Sequence, residues 1–280
     1  MRQVGLLFIC EALTRTSSMM VFMSIALTGR RMAPDASLAT LPLALVPVAM
    51  TIATIPAAQM MRRYGRRAGF QLAAMLGIAG ASTCVVALWL DQFIVLCAGG
   101  FLIGSVNGFA TYYRFAAGEV APEEYRSRAI SLVMAGGVIA AFVGAALATA
   151  TKELHPSAPF LGTFAAIACV QALILIVVSF SRLPKPVAGE TQGGGRSLGE
   201  LAARPTFLLA VLGAVASWGL MSLLMNATPL SMERHQHSFG DTAQVIQWHV
   251  LGMYVPSFFT GSLIRRFGER PILFFGVALI

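Results

Sequence analysis

Apolar residues come in long, nearly unbroken runs along this chain. Each is about the length a helix needs to cross the hydrocarbon core of a bilayer, roughly 20 residues. The runs cover 4–28, 38–61, 69–90, 92–115, 127–150, 159–181, 206–231 and 243–264, and a ninth begins at Pro271 and has reached Ile280 where the sequence stops. This pattern predicts an all-α, polytopic membrane protein of eight full spans and a partial ninth. Ten apolar residues do not cross a bilayer as a helix, so the chain is expected to be a piece of a longer protein or a truncated product.

The polar positions between the runs give the orientation. Arg62, Arg63, Arg66 and Arg67 follow the second run, Arg126 and Arg128 the fourth, Arg182, Lys185, Arg196 and Arg204 the sixth, and Arg265, Arg266 and Arg270 the eighth. The intervening loops hold only Arg30, Arg31, Lys152 and Arg234. By the positive-inside rule the N-terminus and the arginine-rich loops are expected on the cytoplasmic side of a plasma membrane, the inner membrane of a bacterium. Residues 182–205 are rich in Pro and Gly and lack an apolar run. They read as a cytoplasmic linker between an N-terminal six-helix unit, 1–181, and the start of a second unit, 206–280.

Composition sharpens this picture. Apolar residues make up 57% of the chain and charged residues 11%, where a soluble domain carries about 25% charged. Most of the surface must therefore face lipid. The net charge of +8 does not indicate nucleic-acid binding, because the basic residues are split among loops between apolar runs. Cys10, Cys84, Cys97 and Cys169 all lie inside apolar runs without metal-ligand spacing, and they read as small packing residues. His235, His237 and Glu233 share one loop, a weak pattern that does not define a metal site. No enzyme motif occurs, and nothing calls for a cofactor.

A short pattern repeats. Residues 58–70 read AQMMRRYGRRAGF and residues 261–273 read GSLIRRFGERPIL. Both have the order Arg–Arg–aromatic–Gly–x–Arg, and each follows the second span of its own unit. Parallel repeats of this kind are an architecture of secondary transporters. The sequence resembles the major facilitator superfamily, whose loop after the second helix has the form G-x-L-A-D-R-x-G-R-K. Arg63, Gly65, Arg66 and Arg67 fall on that pattern, and Gly261, Leu263, Arg266, Gly268 and Arg270 fall on its second copy. Arg62 and Arg265 stand where the family has an acidic residue. The fourth helix has Gly100 where the family has an arginine before F-L-x-G, and Ala145 follows Gly144 where a proline would follow. The resemblance implies a twelve-helix secondary transporter of a small organic solute working by alternating access, with proton coupling as an option. Its partners would be the lipid bilayer, the solute and, if coupled, protons. A non-transporting receptor, scaffold or inactive product of the same fold is the alternative.

Within the spans, polar side chains mark candidate sites. Glu11 and Arg15 are four apart on one face of the first span, with Thr14 and Ser18 beside them. They read either as a cavity wall with Glu11 as a proton or cation site, or as a pair that fixes the first helix to a neighbour. Asn107 and Arg114 lie in the fourth span; Arg114 either enters the cavity to meet an anionic group or reaches the headgroups. Asn226 in the seventh span, and Gln247 and His249 in the eighth beside Gln244 and Trp248, read either as a polar, partly aromatic cavity lining or as interhelical hydrogen bonding with an interfacial Trp. Gly100, Gly104 and Gly108 form a small-residue stripe for close helix contact.

Overall fold

The computed structural model describes residues 2–183, 198–256, 258–259, 263 and 266–278. In chain order its helices are α1 (Arg2–Met32), α2 (Leu41–Tyr64), α3 (Arg66–Leu90), α4 (Phe93–Ala110), α5 (Tyr113–Val120), α6 (Arg126–Met134), α7 (Gly136–Thr151), α8 (Leu161–Ser179), α9 (Leu198–Ala202), α10 (Pro205–Arg234), α11 (Phe239–Tyr254) and α12 (Glu269–Ala278). No strand occurs among the described residues.

Among the described residues seven segments are long and apolar enough to cross a membrane: Arg2–Met32, Ala36–Tyr64, Arg66–Leu90, Phe93–Val120, Arg128–Thr151, Leu161–Ser179 and Pro205–Arg234. They coincide with the first seven predicted runs. Their outer faces carry bare apolar side chains, Ile94 at 80% and Trp89 at 77% exposed, which only lipid would cover at low cost. The chain is an all-α, multi-pass membrane protein. Helix α11 supplies the eighth run as far as Tyr254, and positions 257, 260–262 and 264 lie outside the described residues. Of the predicted linker, residues 184–197 lie outside them too, and Leu198–Ala202 forms α9.

Helix α1 runs through the middle of the bundle and touches α2, α4, α5, α6, α7, α8, α10 and α11. Its apolar side chains are buried toward both ends. Met20, Met23 and Ile25 pack with Leu43, Leu96 and Phe164, and Val4, Leu7 and Cys10 pack with Phe70, Phe109 and Ile174. The glycine stripe of α4 lies against the backbone of α2. A β-carbon on Gly100 would stand 2.6 Å from the Pro42 carbonyl oxygen, one on Gly104 2.7 Å from Val46 Cα, and one on Gly108 2.9 Å from the Met50 carbonyl oxygen. Small residues permit this approach.

Both copies of the arginine turn place their glycine at positive φ. Gly65 has φ 89° and Gly268 φ 84°, backbone values that favour glycine. Arg63 lies 5.2 Å from the ring of Tyr64, and Arg266 lies 5.3 Å from that of Phe267. In the first copy Arg66 Nε donates to Glu119 Oε2 at 2.6 Å, a second Arg66 nitrogen donates to Glu119 Oε1, and Arg67 donates to the carbonyl of Ser179, the last residue of α8, at 2.7 Å. The turn thus ties α3 to α5 and to a helix C-terminus, where a cation is favourable. Gly261 lies outside the described residues, as does the side chain of Arg270. At the opposite end of the bundle Arg30 pairs with Glu233 at 2.8 Å. Lys152 sits 5.0 Å from the ring of Phe239, which in turn meets Phe160 edge-on at 5.6 Å.

Candidate functional site

Helical periodicity turns three stripes of side chains toward one another. On α1 the stripe is Glu11, Arg15, Ser18 and Phe22. On α4 and α5 it is Asn107, Ala110, Thr111 and Arg114, whose spacing survives the break between the two helices at Thr111 and Tyr112. On α10 it is Trp218, Met221, Ser222, Met225 and Asn226. Each set follows the three- and four-residue steps of one helix face. With Val46, Pro47 and Met50 of α2, Met134, Ala140, and Val250, Met253 and Tyr254 of α11, they enclose a cavity of about 460 Å³.

Its two sides differ in chemistry. The α1 and α4–α5 side carries charge and amide. Arg15 Nε donates to Glu11 Oε1 at 2.7 Å, and Glu11 is 1% exposed. Its Oε2 is buried and without a hydrogen-bond partner. Ser18 Oγ lies 3.1 Å from both Asn107 Oδ1 and the carbonyl of Thr14, joining α1 to α4. Arg114 is exposed and stands 4.9 Å from the ring of Phe115. The opposite side, from α10 and α11, is aromatic and thioether, with Asn226 as its amide. Asn226 Oδ1 is also buried and unpartnered. Tyr254 packs against Gly137 of α7.

Five of the sequence candidates, Glu11, Arg15, Asn107, Arg114 and Asn226, therefore meet at one cavity. Gln247 and His249 do not line it. Both are half-buried on α11, and His249 Nε2 has no hydrogen-bond partner, while Trp248 and Gln244 face outward. Sequence reasoning missed Trp218, Tyr254 and six methionines, Met19, Met50, Met134, Met221, Met225 and Met253. The signal for part of this was present. Trp218, Met221 and Met225 lie on the Asn226 face of α10 at helical spacing. No group of three His, Cys, Asp or Glu side chains able to hold a metal occurs among the described residues.

An all-α membrane protein with ion-paired and amide side chains turned onto a cavity between its helices falls in the class of polytopic membrane transport proteins. The chain belongs to the major facilitator superfamily, whose family model matches residues 7–280. It is 38% identical to the riboflavin transporter RfnT of Brucella anthropi across the whole of this chain and 71% of that protein's length. It is 26% identical to the uncharacterized MFS-type transporter YdeG of Bacillus subtilis over 88% of this chain, and 24% identical to YddS, another of that description from the same bacterium, also over 88%. The chain spans 61% and 60% of the length of those two relatives.

Proposed function

We propose that the protein is a secondary active transporter of the flavin class, moving riboflavin or a close relative by alternating access of two helical units around this cavity. The observation that carries the reading is the division of the cavity wall. A flat ring system is matched by Trp218, Tyr254 and the methionines, because thioethers and aromatic rings offer polarizable contact to a π-face. A hydroxylated chain and ring carbonyls are matched by Asn107, Asn226, Ser18 and Arg15. About 460 Å³ falls in the range for sites that enclose a small organic ligand, about 300–1,000 Å³. The similarity to RfnT supports the same substrate class.

On this reading residues 1–181 form one unit and 206–280 belong to the second, joined by 182–205. The N-terminus and the Arg66–Glu119 end face the cytoplasm of a bacterium, across its inner membrane. Glu11, the only carboxylate in the wall among the described residues, is the group through which a proton would couple. The test is uptake of radiolabelled riboflavin by riboflavin-auxotrophic bacterial cells that make the full-length gene product. Saturable uptake, competed by unlabelled riboflavin, is expected. Membrane-inserted protein with uptake no higher than in vector controls would sink the proposal.

A further inference from the structure

Charge on the cavity wall does not balance. Arg15 is neutralised by Glu11 at 2.7 Å, a carboxylate that is itself 1% exposed. The other formal charge on the wall is Arg114. No carboxylate among the described residues pairs with it, and Glu119, five residues on, is occupied by Arg66. Phe115 lies 4.9 Å from the centre of the Arg114 guanidinium, an aromatic contact that helps hold the planar group in place. Thr111 and Asn107, one and two turns earlier, place a hydroxyl and an amide on the same line of the wall. A guanidinium offers five N–H donors in a flat fork that matches the oxygens of a phosphate or carboxylate. An exposed cation on the cavity wall with no counter-charge from the protein is free to meet an anionic group of the solute.

We infer that Arg114 reads an anionic group on the solute, so that the cavity takes planar aromatic compounds bearing a phosphate or carboxylate in preference to their neutral forms. The ring rests on the Trp218 and methionine side, and the anion reaches across to Arg114. For the flavin class this names riboflavin 5′-phosphate as a tighter ligand than riboflavin. The choice of ring rests on the flavin reading; the preference for an anion does not.

The test is calorimetric titration of the purified full-length protein with two matched pairs, riboflavin and its 5′-phosphate, then 2-naphthol and 2-naphthyl phosphate. The unmodified protein should bind the phosphate of each pair roughly ten- to a hundredfold more tightly, the worth of one charge-assisted contact. That ratio should collapse in Arg114→Gln and survive in part in Arg114→Lys. The ratio is the readout, so a general loss of folding does not imitate the result. Equal affinity within each pair, no binding of either phosphate, or a ratio unchanged in Arg114→Gln overturns the inference. If the flavin pair fails to bind while the naphthyl pair shows an Arg114-dependent ratio, the flavin reading falls and the anion preference stands.

Discussion

The ring of Tyr254 on α11 fills the space where a β-carbon on Gly137 of α7 would stand, with three ring carbons 2.5–2.6 Å from that position. The two helices meet at this point only while residue 137 has no side chain. Because Tyr254 also lines the cavity, the contact links the approach of α11 to the shape of the site.

Gly137→Ala should therefore force the ring aside. Overpacking of a tight contact costs about 1–3 kcal/mol, and we expect lower thermal stability in detergent and reduced solute uptake. Adding Tyr254→Leu should recover part of the stability but not the uptake. A Gly137→Ala protein as stable and as active as the unmodified one would show that the contact is loose.

Glu11 and Arg15 should behave as a unit. Removing one partner of a buried pair costs about 3–5 kcal/mol, whereas removing both costs less; with Arg15 a quarter exposed, the lower end applies. Glu11→Gln should thus destabilise more than Glu11→Gln with Arg15→Gln together. Thermal unfolding of the two single variants and the double variant gives the coupling energy, and purely additive losses would contradict the pairing.

The Arg66–Glu119 contact lies at the mouth of the arginine turn and is partly exposed, at 20% and 43% for the two side chains. Its worth to stability is small, about 0–1 kcal/mol. Transport should be more sensitive. Arg66→Glu should lower uptake, and Glu119→Arg in the same molecule should restore part of it by re-forming the pair in reverse.

Gly104→Ala should injure assembly of the first unit, and Gly104→Leu should abolish it, since the new atoms would enter the backbone of α2 at Val46. Gel-filtration profiles of fluorescently tagged protein would show the graded loss. A Leu variant that elutes as a single folded peak would refute close packing there.

At the head of α11, Ser238 and Asp241 form a reciprocal cap. The hydrogen bonds from the Ser238 side chain and backbone hold the Asp241 carboxyl below its ordinary value of 3.8. A carboxyl lowered on folding contributes stability that is complete above its unfolded value and fades as pH falls toward its folded one. Acidification below 3.8 should loosen this turn, seen as faster amide exchange at Asp241 and Thr242. In Ser238→Ala that exchange should be fast already at neutral pH.

Most of the fold was legible because a bilayer imposes a length. Runs of apolar residues had to be spans, and among the described residues seven form helices long and apolar enough to be. The Gly65 and Gly268 turns were legible as well, since a repeated glycine between arginine and arginine signals a backbone that other residues avoid. Charged and amide residues inside spans pointed to Glu11, Arg15, Asn107, Arg114 and Asn226, because each is costly unless it faces a cavity. The same reasoning misplaced Gln247 and His249 relative to that cavity. An amide or imidazole on α11 is polar wherever it points, and the face it takes depends on how α11 rotates against α7. Trp218 and the methionines were hidden for the opposite reason: in a chain where 57% of residues are apolar, apolar lining looks like apolar packing.

Six methionines around the cavity have a consequence for fidelity. Each thioether chain turns about three single bonds and re-forms around whatever ring is presented, so outline alone is poorly discriminated. Ring analogues that differ by a methyl or a halogen would enter alongside the solute. Discrimination then falls to a handful of hydrogen-bonding groups, Ser18, Asn107 and Asn226 among them, and the range of solutes admitted inherits their tolerance.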